Sequence, residues 1–210
     1  LAPIAGAWLL SFGGWPVSFI VLGGLGLVLT LTLAALSHRL PGREVALERH
    51  KTYWTILASR RFLRYALSQA FALGGLLVFV FGAPAVITGP LGLGIREFVI
   101  LQVAGIACFI VGANMSSRLA RRFGAERVIL AGTTLLAAAF LAMLVYAAAG
   151  GTNLVVVVAI WTFVNFGFGI RGPLGFHAAI MAAEGDHSRG AALVVAGILA
   201  TAAAGTAIMA

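Results

Sequence analysis

Ser116-Ser117-Arg118-Leu119-Ala120-Arg121-Arg122-Phe123-Gly124-Ala125-Glu126-Arg127 is the stretch whose reading decides the fold. On either side lies an uncharged apolar run, 98–117 before it and 128–148 after it. About 20 residues rising ~1.5 Å each match a hydrocarbon core ~30 Å thick. Arginines crowded into so short a connection resist translocation, so this turn is expected on the cytoplasmic side of a bilayer. That assignment sets the direction of every other apolar run. Gly124 is expected to close the turn at positive φ, which costs glycine nothing.

Composition points the same way. The chain has 210 residues, 61% hydrophobic and 10% charged, with a mean hydropathy of +1.07. A soluble domain carries about 25% charged residues, so an integral membrane protein is expected. The net charge of +8 comes from 14 Lys+Arg against 6 Asp+Glu. Such a balance can signal nucleic-acid binding. Here the basic residues sit in short connections between apolar runs, which reads as topology and implies no nucleic acid. Cys108 is the single cysteine and forms no internal disulfide. Arginine, alanine and glycine are favoured, as in GC-rich bacterial genomes, so the expected location is a bacterial cytoplasmic (inner) membrane. Neither end reads as a terminus, and a fragment of a longer polytopic chain is expected.

In order, 1–12 reads as the tail of a span closed by Gly13-Gly14. Further spans are expected at 16–36, 65–88, 98–117, 128–148, 154–175 and 191–210. The connections after the second, fourth and sixth of these seven hold thirteen basic residues, counting Arg171 near the end of the sixth span, and the others hold only Arg96. This is a strong positive-inside pattern. The long basic connection 37–64 reads either as a short amphipathic helix on the membrane surface or as a partly solvated linker. The fold class is therefore all-α and polytopic.

Several motifs carry a family resemblance. The opening stretch resembles the inter-helix motif of the major facilitator superfamily, Gly-x-Leu-Ala-Asp-Arg-x-Gly-Arg-Arg. Leu119, Ala120, Arg122 and Gly124 fit it, while Ser117 and Arg121 replace the usual Gly and Asp. Ala2-Pro3-Ile4-Ala5-Gly6-Ala7 resembles the end of the antiporter motif, Gly-Pro-x-x-Gly-Gly, on the fifth helix of proton-coupled drug exporters. Arg61-Phe62-Leu63-Arg64-Tyr65, with Phe81-Gly82-Ala83-Pro84 after it, resembles the seventh helix of the bicyclomycin/chloramphenicol-resistance branch.

The resemblance implies helices five to eleven of a monomeric twelve-helix transporter. Residues 1–36 would be the last two helices of the N-terminal lobe, 37–64 the central cytoplasmic loop and 65–210 five helices of the C-terminal lobe. The two lobes would rock around a midplane site. Proton coupling in such proteins relies on an acid in helix one and an arginine in helix four, both outside this sequence. Pro3, Gly6, Arg122 and Gly124 match the motifs and Arg121 stands at the motif's Asp position; by resemblance these five would take conformational or gating roles.

Amides inside the spans mark the candidate site: Gln69, Gln102, Asn114 and Asn165. An amide in hydrocarbon needs a partner, so each is expected to face a protein interior or a wet cavity. Helical spacing puts Phe98, Gln102, Gly105 and Phe109 on one face, and Trp161, Asn165 and Phe168 on another. Gln69, Phe98, Gln102, Phe109, Trp161, Asn165 and Phe168 are the expected substrate-lining set. Interhelical packing is the competing reading for each of them. Arg171 is expected one turn from the cytoplasmic edge, snorkelling to water or acting in gating. The adjoining Gly172-Pro173 is expected to break its helix. Neither a metal-type cluster nor a catalytic constellation stands out, so no cofactor, no metal and no enzyme activity are expected.

The functional expectation is a secondary transporter exporting drug-like or amphiphilic small molecules, coupled to protons. The alternatives are an exporter or facilitator of a polar metabolite such as a sugar or amino acid, and a polytopic membrane enzyme.

Overall fold

The computed structural model describes residues 8–9, 14–36 and 52–209. Pro3, Gly6 and most of the basic connection 37–64 lie outside the described residues. The chain divides into two units, 1–48 and 49–210. In the first, helix α1 spans Trp15–Leu36. Pro16–Leu36, 21 residues, has a mean hydropathy of 2.4. Its two threonine hydroxyls donate to the carbonyls four residues earlier, Thr30 to Gly26 and Thr32 to Val28. Both threonine hydroxyls are thereby satisfied within the helix, as a lipid environment requires.

The second unit contains α2 (Tyr53–Leu57), α3 (Arg60–Thr88), α4 (Ile95–Phe123), α5 (Ala125–Ala148), α6 (Leu154–Met181) and α7 (His187–Met209). Together with α1, the helices α3 to α7 make six among the described residues that are long and apolar enough to cross a membrane. The protein is an all-α, multi-pass membrane protein.

Several helices outrun the expected apolar runs. α3 and α4 each have 29 residues, about 43 Å at ~1.5 Å per residue, against a hydrocarbon core of ~30 Å. The excess carries charge. Arg60, Arg61 and Arg64 lie in the first turns of α3, where the sequence reading placed a connection. Ser116 to Phe123 is likewise helical, so the expected turn contracts to Gly124 alone. Gly124 sits at φ 89° and ψ 142°, a region open to residues without a Cβ. The expected break at Gly172-Pro173 is absent, because α6 continues through Pro173 to Met181.

The N-terminal ends of α2, α3, α5 and α7 gather at one end of the unit. Arg64 of α3 reaches Glu126 of α5 at 3.2 Å, and the Arg189 guanidinium lies 5.3 Å from the Tyr53 ring centroid. The basic segments of three connections therefore share one end, as a positive-inside topology demands. Ile56 of α2 is buried there with Phe62, Tyr65, Ala66 and Val194.

Packing follows small residues. α6 lies against both α4 and α5, while α3 pairs with α7. A methyl group added at Gly169 of α6 would lie 2.4 Å from the Phe109 carbonyl oxygen of α4. One added at Gly132 of α5 would lie 2.9 Å from the Gly167 carbonyl oxygen of α6. Lipid tails are as apolar as the helices, so association depends on backbones approaching this closely.

Candidate functional site

The predicted aromatic and amide faces of α4 and α6 meet in one seam. Gln102 and Gly105 of α4 are buried against it, as are Trp161, Asn165 and Phe168 of α6. Phe98 and Phe109 flank them, half-buried. Phe109 stacks on Phe168 with ring centroids 5.7 Å apart. Asn165 donates from Nδ2 to the Trp161 carbonyl at 2.9 Å. The Trp161 indole N–H has no acceptor although the side chain is only 1% exposed. Gly105 makes room for it: a methyl group there would fall 2.5 Å from Trp161 Nε1 and 2.7 Å from Asn165 Nδ2. Two donors thus press on one spot of bare backbone. The seam is apolar, aromatic and uncharged, with its few polar groups aimed inward.

Phe79 of α3, absent from the predicted set, stacks on Trp161 with centroids 4.1 Å apart. It also lines an apolar cavity of ≈ 190 Å³ with Ile87, Leu101, Met143, Tyr146 and Val157. A dry cavity of roughly 150 Å³ can hold a benzene-sized ring. Helical phase was the signal for Phe79, since steps of three or four residues along α3 lead from Gln69 through Ala72 and Leu76 to it.

Gln69 lies apart from this seam, beside Arg171. It is 2% exposed, and its Oε1 has no donor. Asn114, the remaining amide, is exposed and donates to the Ile110 carbonyl of its own helix at 2.8 Å. It faces outward from the unit, so the interior half of the expectation does not describe it.

Arg171 departs most from expectation. With α6 running from Leu154 to Met181, it lies about 5 Å past the helix midpoint at ~1.5 Å per residue. It is also 0% exposed, so it does not snorkel. Nη1 donates to the Ser68 carbonyl at 3.1 Å and Nη2 to the Ser68 hydroxyl at 3.0 Å. With no helix break at Gly172-Pro173, its acceptors come from α3 instead of α6. Nε has no acceptor.

At the basic end, Glu126 accepts from Arg64 and from the Tyr65 hydroxyl. Arg121 and Arg122 occupy the last turn of α4, where cations oppose the helix dipole favourably. Arg64, Tyr65 and Glu126 line a cleft between α3 and α5 at the basic end, together with Ser68, Ile129 and Thr133.

Comparison with known proteins places these features in a family. The profile of the Major Facilitator Superfamily matches residues 1–209. Similar curated proteins include "Multidrug transporter MdfA" of Yersinia pestis bv. Antiqua (strain Angola) and its namesake in Yersinia pestis (strain D106004). Each is 28% identical over 136 residues, covering 61% of this chain and 32% of the relative. The matched segment thus spans about a third of these relatives' length. No solved structure matches the chain significantly.

Proposed function

The chain belongs to the major facilitator superfamily, and from that premise we propose that it is part of a proton-coupled exporter of drug-like, amphiphilic molecules in a bacterial inner membrane. A transporter rather than an enzyme is what the family implies. In this reading residues 1–36 complete the N-terminal lobe, 37–64 link the lobes and 65–210 belong to the C-terminal lobe. The bicyclomycin/chloramphenicol-resistance branch fits the motifs on α3, and the name borne by the similar Yersinia proteins agrees with drug export.

The observation that carries the reading is the seam itself. Trp161, Phe168, Phe98 and Phe109 offer ring faces, while Gln102 and Asn165 offer few polar contacts. A sugar or amino acid would leave several groups unpaired there, at ~1–3 kcal/mol each. An amphiphilic drug buries its rings and needs one or two amide contacts. Because the seam is closed against α4, drug entry requires α4 and α6 to part near Gly105, with Phe98 and Phe109 as first contacts. One observation favours the second reading, a polar metabolite: the buried Arg171 guanidinium would suit a carboxylate.

The test is drug uptake by inverted membrane vesicles containing the full-length protein, energised by an imposed proton gradient. Uptake that collapses with the gradient, and whose drug preference changes in Trp161→Ala and Gln102→Ala, supports the proposal. Uptake indifferent to the gradient would remove the proton-coupling element. Unchanged preference in both variants would return the seam to a packing role.

A further inference from the structure

Arg171 is a buried cation for which the drug-export reading has no use. Its guanidinium is enclosed between α3, α5 and α6, and both its hydrogen-bond acceptors are the neutral oxygens of Ser68. A charge this deep is costly unless its donors are matched. Yet Nε is unmatched, and so is the neighbouring acceptor, Gln69 Oε1. Gln69 Oε1 and the guanidinium, through Nη2, meet at one point beside Gly175. A methyl group added at Gly175 would lie 2.9 Å from Gln69 Oε1 and 3.0 Å from Arg171 Nη2. On the far side, one added at Gly132 would lie 2.8 Å from Arg171 Cβ. The root of the side chain is therefore clamped, while its head lies beside a slot kept open by glycine.

We propose that Arg171 is a positioning residue that holds α6 to α3 through either of two adjacent acceptors, the Ser68 oxygens or the Gln69 amide oxygen. Rotation of the guanidinium across the Gly175 slot exchanges one set of hydrogen bonds for another without exposing the charge. Because Ser68 and Gln69 are successive residues of a helix, they project about 100° apart around its axis. Each acceptor therefore fixes a different rotation of α3 against α6. Two discrete arrangements of this packed pair would give a motion internal to one lobe, distinct from the rocking of lobe against lobe. The inference rests on the transporter reading, but on neither its substrate nor its direction.

The test uses the full-length protein in lipid nanodiscs, without substrate. Spin labels are placed on Phe81→Cys and Val155→Cys, both exposed, after other cysteines are replaced. Two distance populations are expected. Ser68→Ala should favour one and Gln69→Leu the other, each changing the ratio by about tenfold, the effect of ~1.4 kcal/mol. Gly175→Ala, which fills the slot, should leave a single population. Arg171→Lys should retain two populations, and Arg171→Met should lose the distinction between the Ser68 and Gln69 variants. Should Arg171→Met fail to fold, the Ser68 and Gln69 variants still decide. Identical distances in those two variants would overturn the proposal, as would shifts in the same direction. A protein that transports no drug yet shows opposed shifts would defeat the export reading and leave this one standing.

Discussion

At the scale of the residue, glycine controls how near the helices come. The α4–α6 seam closes because Gly169 lets the Phe109 carbonyl approach. Gly169→Val would force the helices apart or strain the valine, at ~1–3 kcal/mol. Thermal unfolding in detergent should show a lower midpoint for Gly169→Val, with Gly26→Ala nearly unchanged, since nothing crowds its side-chain direction and its φ is not positive. An unchanged midpoint for Gly169→Val would mean that the backbones are not held this close. Residue identity alone made the amides legible, since Gln102 and Asn165 are polar in apolar runs and both are buried. It could not separate Gln69 from them, because spacing within a helix says nothing about which neighbour a face meets. Ser68 was overlooked for the same reason: its importance lies in a partner 103 positions away.

The element scale is where the sequence reading erred most consistently, and always in one direction. Apolar runs mark the hydrocarbon, and helices do not stop where it stops. Ser59 caps α3 by accepting from the Phe62 amide, so Arg60, Arg61 and Arg64 fall inside the helix instead of before it. The same continuation reduces the α4–α5 connection to Gly124, and carries α6 past Pro173. Pro173 leaves the Gly169 carbonyl without its helical donor, and beside it Ser116 of α4 donates to the Ile170 carbonyl at 2.8 Å, tying this stretch of α6 to its neighbour. That contact is invisible in sequence. Gly124, by contrast, was legible from its place between two helical runs. Gly124→Val must adopt a backbone at φ 89° that a β-branched residue resists. In the full-length protein it should reduce transport severalfold while membrane insertion stays normal. The pair of measurements is vesicle transport against membrane abundance. Full-speed transport at normal abundance would reduce this turn to a passive tether.

At the scale of the molecule, topology and function are separate questions. The charge asymmetry was legible from composition, and the meeting of Arg64 with Glu126 and of Arg189 with Tyr53 brings the basic segments to one end. Cysteines placed at Thr52 and Ala125 should therefore react with an impermeant thiol reagent only from the cytoplasm, and one at Gly92 only from outside. Reaction of Gly92 and Ala125 from the same side would reverse the assignment of spans.

Function was legible only as a class, because a substrate is selected by the seam's three-dimensional outline and by groups beyond these residues. The central claim is that the full-length protein exports amphiphilic drugs. Its most direct test is growth inhibition of an efflux-deficient bacterial strain by a panel of apolar antimicrobials, paired with vesicle uptake of labelled sugars and amino acids. The account predicts that expression raises tolerance to several antimicrobials with no uptake of either metabolite. Uptake of a sugar or amino acid, with every drug susceptibility unchanged, would contradict it.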